Sequence, residues 1–124
     1  MFRTNIEEDT LSNNYFRKVI FTGQHMQLVL MSLKPGEEIG EEIHETVDQF
    51  FRFEEGKGTV YANDETYEVA EDDVVIIPAG TKHNIVNTGS EDLKLYTIYA
   101  PPNHPDGTIN KDKMEALEYE KAHH

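Results

Sequence analysis

The sequence predicts an all-β fold, a barrel or sandwich with a short C-terminal helix. Two observations predict it. The middle of the chain is a series of short runs rich in Val, Ile, Phe, Tyr and Thr, and turn residues separate them at almost every boundary. Residues 16–21 and 24–33 form the first two strands, divided at Thr22-Gly23, and Lys34-Pro35-Gly36 turns the chain toward a strand ending near His44. Asp48 to Phe53 follows, then a turn over 54–58, a strand from Thr59 to Ala62, the hairpin signal Asn63-Asp64 and a strand from Thr66 to Val69. Val74 to Ile77 is a continuous apolar run, which predicts burial on both faces. Residues 82–87 and 93–100 complete the set. Pro101-Pro102-Asn103-His104-Pro105 breaks regular structure, and Asn110 is placed to cap a helix to about Lys121, with Met114 and Leu117 on one side.

The 124 residues suit one domain, with a core over about 16–100 and an extension over 101–124. Cysteine is absent, which excludes disulfides, Cys-ligated zinc and thiol catalysis. The formal charge of -13, with no Lys/Arg stripe to offset it, argues against nucleic acid as a partner. With no apolar segment of spanning length and no leader-like N-terminus, the expectation is a cytoplasmic protein without membrane contact.

Two fragments carry chemistry. Glu42, His44 and Gln49 lie in the first and His83 in the second. Residues two apart in a strand share a face, so Glu42 and His44 can aim at one point; if the strand of His83 is their neighbour, two imidazoles, a carboxylate and an amide can converge on a divalent ion. Without sulfur ligands, Zn, Fe, Mn, Ni and Co all remain open. Asp48 competes with Gln49 but has the opposite parity. On the face of Gln49 stands Phe51, and on that of His83 stand Ile85 and Asn87, which gives a pocket with apolar walls and few polar groups as the expected substrate contact. Phe53 reads as core. Arg52 and Lys82 have the other parity and cannot clamp a phosphate inside. His25 and His104 lie away from both fragments and receive no assignment, although the Pro-rich segment of His104 has the length to fold across a barrel mouth. His123 and His124 are given no role.

These fragments resemble the two motifs of the cupin superfamily, G-x5-H-x-H-x3or4-E-x6-G and G-x5-P-x-G-x2-H-x3-N. Gly36, Glu42, His44, Gln49 and Gly56 reproduce the spacing of the first; Asp72, Pro78, Gly80, His83 and Asn87 reproduce that of the second. Glu42 stands where the first His is usual, Gln49 where the Glu is usual, and Asp72 where a Gly is usual. Asp tolerates tight-turn conformations, so that last change is structurally mild. The resemblance implies a double-stranded β-helix, or jelly roll, with a metal inside its mouth and a homodimer as its usual assembly. Phe50, facing away from the pocket, is a candidate for burial there. The ligand types resemble those of cupin-fold phosphomannose isomerases, and Gln at position 49 resembles small cupins that act on uronates without oxidation. The resulting expectation is a metal-dependent isomerase or lyase acting on a small oxygen-rich molecule, a sugar, uronate or keto acid. No general base is evident in the motifs. A non-haem Fe(II) dioxygenase built on Glu42, His44 and His83 is the alternative, and a non-catalytic ligand-binding barrel is another.

Overall fold

The computed structural model describes residues 1–122; His123 and His124 lie outside them. A helix α1 (Ile6–Ser12) precedes nine strands, β1 (Arg17–Thr22), β2 (Gln27–Leu33), β3 (Asp48–Glu55), β4 (Gly58–Ala62), β5 (Glu65–Val69), β6 (Val74–Ile77), β7 (His83–Val86), β8 (Leu93–Ala100) and β9 (Ile109–Asn110), and a second helix, α2 (Lys113–Ala122), ends the described chain. The strands form an antiparallel six-stranded sheet ordered β6-β3-β8-β2-β1-β9 and a three-stranded sheet ordered β5-β4-β7. Between them lies one apolar core that includes Val29, Met31, Phe51, Phe53, Val60, Ile85, Leu93 and Leu95. The all-β expectation and nearly all its strands are present. Among the described residues no helix is long and apolar enough to cross a membrane.

Cross-strand register sets the inward rows that build the site. Ile77, Gln49, Tyr99 and Gln27 stand side by side on β6, β3, β8 and β2, and all four are buried. The next row is Val75, Phe51, Thr97, Val29 and Val19; below it come Phe53, Leu95, Met31, Arg17 and Asn110. Inward parity thus brings a cation, Arg17, into a row of apolar side chains.

Four expectations need correction. Val74 to Ile77 is not buried on both faces: β6 is the edge of its sheet, and Ile76 is 62% exposed on the outer side. The segment ending near His44 is no continuous strand. It touches β7 only at two isolated bridges, Glu38 to Val86 and Glu42 to His83, because Gly40, at a φ of 113°, interrupts the extended backbone between them. Asn110 does not cap α2, being a buried member of β9. Asp112 is the cap, its carboxylate accepting from the Glu115 amide at 2.8 Å, and the buried face of α2 carries Ala116, leaving Met114 and Leu117 exposed. Helix α1 was not expected, although Asn5, which accepts from the Glu8 amide at 2.9 Å, and the acids Glu7, Glu8 and Asp9 in its first turn are ordinary N-terminal signals.

Two motif positions show why their residues are needed. Gly56 has a φ of 95°, and a Cβ there would lie 2.6 Å from the Asp92 carbonyl oxygen, so the β3–β4 turn admits no side chain. Asp72, standing where the motif usually has Gly, adopts a φ of 72° and accepts a hydrogen bond from Arg52 at 2.8 Å. Its left-handed backbone is the mild change that the sequence suggests.

Candidate metal centre in the barrel mouth

Glu42 and His83 are paired across the gap between the first-motif loop and β7, each amide donating to the other's carbonyl at 2.9 Å. That antiparallel pairing puts both side chains on the inner face. His44 follows two residues on, anchored where its carbonyl accepts from the Gly80 amide at 2.8 Å, and its ring centroid lies 5.6 Å from that of His83. Gln49 projects from β3 on the opposite sheet and is 3% exposed, whereas Asp48 points outward and accepts from the Ala79 amide. The four residues proposed from the motifs therefore gather at one end of the barrel.

Their donor atoms suit a divalent ion. The Nδ1 of His83 is 2.9 Å from the Thr81 carbonyl, which fixes the proton on Nδ1 and leaves Nε2 with a free lone pair. Gln49 donates through Nε2 to Thr97 at 3.0 Å, while its Oε1 is buried without a hydrogen-bond partner. The Nε2 of His44 is also buried and makes no aligned hydrogen bond, although it lies 3.0 Å from Glu42 Oε2. The Gln49 oxygen is thus a buried acceptor left unmatched, which is costly, and it is what a cation would satisfy. Among the described residues, no three His, Cys, Asp or Glu side chains form a ready coordination shell; Glu42 and His44 are closed on each other instead. Burial draws the Glu42 pKa upward, but His44, Arg17 and His83 outweigh it and hold the carboxyl below its usual range, so Glu42 is ionised at neutral pH.

Phe51 and Ile85 are each 1% exposed beneath the cluster, and the Phe51 ring meets His83 edge-on at 6.3 Å. Asn87 does not join them. Its amide nitrogen donates to the carbonyls of Leu33 and Glu91, and its oxygen accepts from the Gly89 amide, so it closes the β7–β8 loop rather than facing a substrate. Arg52 and Lys82 pair outside the barrel, with Glu54 and Asp72 and with Glu41 respectively.

Sequence reasoning missed a second set of residues. Tyr99, beside Gln49 in the mouth row, packs edge-on against His44 at 5.8 Å, and burial pushes its hydroxyl well above the usual range, with Arg17 and Gln49 offsetting this only in part. The Pro-rich segment does cross the mouth. The Oε1 of Gln27 accepts from the amides of Asn103 and His104, and its Nε2 donates to the His104 carbonyl at 2.7 Å. His104 is thereby held with Nε2 3.3 Å from the Tyr99 hydroxyl. Burial, reinforced by Arg17 and His44 and opposed by Glu42, pushes His104 down to about 4. Strand parity identified neither Tyr99 nor Gln27 as functional because an inward aromatic or amide on a β-strand reads as core until its partners are known.

Comparison with known proteins agrees with this architecture. Residues 29–99 match the model of the Cupin domain family. An uncharacterized protein of Bacillus subtilis, YrkC, is 48% identical over 122 residues, which span 94% of this chain and 66% of that protein. The crystal structure of BH2720 from Bacillus halodurans superposes with a TM-score of 0.93 at 48% identity, covering 94% of this chain and 93% of the other. A more distant structure, described as a predicted oxalate decarboxylase from Thermotoga maritima, has a TM-score of 0.60 at 25% identity over 64% of this chain and 69% of its own. Together with the two motifs and the paired sheets, these matches mean that the chain belongs to the Cupin domain family.

Proposed function

We propose that this cupin is a metal-dependent enzyme of non-redox chemistry, an isomerase or lyase acting on a small oxygen-rich substrate such as a sugar, uronate or keto acid. The observation that carries the reading is the buried, unpartnered Gln49 Oε1 at the end of the barrel where Glu42, His44 and His83 meet. These four would hold the ion, Glu42 separating from His44 to do so. A bound divalent ion supplies Lewis acidity toward a carbonyl or hydroxyl oxygen.

The proton chemistry belongs to the chain itself. Neutral at physiological pH, His104 can accept a proton from a substrate carbon and return it at the adjacent position, which is the task of a base in isomerisation. Tyr99 stays protonated, and its hydroxyl oxygen accepts from the His104 Nε2–H, which orients the imidazole and leaves Nδ1 as the basic nitrogen. Gln27 fixes the segment that carries His104, and the apolar floor of Phe51 and Ile85 excludes water from the reacting carbon. The test begins with elemental analysis of purified protein and of His83→Ala after exposure to Zn, Mn, Fe, Co and Ni. The wild type should retain one ion and the variant none. Substrates are then screened anaerobically in D2O for exchange of a C–H for deuterium, which a dioxygenase would not perform. A wild type that holds none of the five ions would sink the reading.

A homodimer is part of the same proposal. The edge strand β6 leaves backbone groups unpaired and Val74 and Ile76 exposed, and Phe50 stacks on Tyr96 at 6.2 Å on the same outer face. Pairing of two copies would cover that edge. Light scattering should give twice the chain mass, and Ile76→Lys should return it to the monomer.

A further inference from the structure

Arg17 presents a charge that the proposed chemistry does not use. It is 1% exposed, in an inward row with Met31, Leu95 and Phe53. A guanidinium is charged at every physiological pH, and burying it is unfavourable unless an anion matches its fork. The matching here is incomplete. One terminal nitrogen donates to the neutral amide of Asn110 at 3.1 Å and lies 3.7 Å from the Glu120 carboxylate, which is longer than the roughly 2.7–2.9 Å of a charge-assisted hydrogen bond. Glu120 is itself 41% exposed on α2, at the surface end of this contact. The Nε of Arg17 is buried with no hydrogen-bond partner.

The position of the charge connects it to the mouth. Its row, Arg17, Met31, Leu95 and Phe53, lies two rows below that of Gln49 and Tyr99 in the same sheet, so its positive charge bears on Glu42, Tyr99 and His104, the groups that line the mouth. The guanidinium lies over the ring of Phe16, 5.4 Å from its centroid. In a chain with a formal charge of -13, an interior cation with an unmatched edge is a local inversion of sign. It favours entry of an anion at this one place.

We propose that Arg17 is the carboxylate-binding residue of the barrel: the acid group of the substrate docks on the open Nε edge of its guanidinium, competing for the charge with Glu120, which stands at the terminal nitrogen, while the rest of the substrate extends toward Glu42, His44 and His83. Planar two-point recognition is what a guanidinium offers a carboxylate and an ammonium does not. This makes a uronate or keto acid, not a neutral sugar, the substrate class. The proposal deepens the functional reading above and rests on it for the direction in which the substrate extends, but binding of the acid group requires no metal.

The test is a titration of the metal-free protein with acetate, malonate and glucuronate, with malonamide as neutral control, following the Arg17 Nε–H resonance by NMR and affinity by calorimetry. At least one of the three acids should shift that resonance saturably, and malonamide should not. Arg17→Met and Arg17→Lys should each weaken binding of that acid at least tenfold, and Glu120→Gln should tighten it severalfold by removing the internal competitor. Failure of the wild-type Nε–H to respond to any of the three acids overturns the proposal even where the arginine variants do not fold. So does a folded Arg17→Met that binds as the wild type does. Loss of metal binding with the acid response intact would count against the enzymatic reading alone.

Discussion

Gln49 and Gln27 stand in the same inward row, separated only by Tyr99, and both are almost completely buried. Their hydrogen bonding is opposite. Gln27 uses both ends of its amide, accepting from two backbone amides and donating to Thr22 and a carbonyl. Gln49 uses its nitrogen and leaves its oxygen orphaned. One amide is therefore a structural tie that fixes the segment over the mouth, and the other keeps an acceptor without a partner in the chain. Residue type and burial are the same at the two positions. Only the census of partners distinguishes a fastening from a site.

The largest effect should come from cutting the tie. Gln27→Leu leaves the amides of Asn103 and His104 and the His104 carbonyl without partners, and each unmatched buried group costs about 1–3 kcal/mol. Because the 101–107 segment can turn some of these groups to water, the net loss should be about 2–4 kcal/mol in urea denaturation, with turnover impaired because His104 is no longer held. A loss under about 1 kcal/mol would break the contrast at its structural end.

A smaller effect tests what the tie positions. Folding lowers the pKa of His104 from 6.5 to about 4, so the unfolded chain binds a proton that the folded one refuses between those values. Stability associated with this residue is therefore fully present above about pH 6.5 and declines as pH falls toward about 4, below which both states are protonated and the loss levels off. At about 1.4 kcal/mol per tenfold difference in proton affinity, the decline is at most about 3.5 kcal/mol. His104→Asn should remove this slope, measured as the difference between variant and wild-type stability across that window. An unchanged slope would mean that the imidazole is not enclosed as described.

The contrast also marks how far a sequence can be read. The convergence of Glu42, His44, Gln49 and His83 was legible because parity and motif spacing act over few residues, and the bridge of Glu42 to His83 keeps the inward face even though the first segment is no continuous strand. Phe51 and Ile85 followed from the same parity. What parity could not supply was distance along the chain. Gln27 and His104 are 77 residues apart and meet only because the segment after β8 doubles back across β2. Arg17 showed its inward parity beside Val19, but a lone cation in an apolar strand gains meaning only when Asn110 and Glu120 are found at its tip. Asn87 was misread for a related reason, since a motif position shows that a residue is needed without showing whether the need is for chemistry or for a loop. The burial expected of Val74 to Ile77 failed because composition cannot tell a central strand from an edge strand.

The smallest stability effect belongs to Gln49, and it is the sharpest test of the pair. Gln49→Leu removes an oxygen that has no partner, so no favourable hydrogen bond is lost there; Thr97 loses a donor, worth about 1 kcal/mol, and the new side chain adds apolar burial of similar size. The change in stability should therefore stay within about 1 kcal/mol, against the several expected at Gln27. Metal affinity should move the other way, falling at least tenfold for Zn in a competition titration, and Gln49→Glu should raise it because a carboxylate is the stronger ligand. Should Gln49→Leu cost as much stability as Gln27→Leu, the oxygen must have an internal partner after all. The two amides would then be equivalent, and the mouth would hold no acceptor in reserve for a ligand.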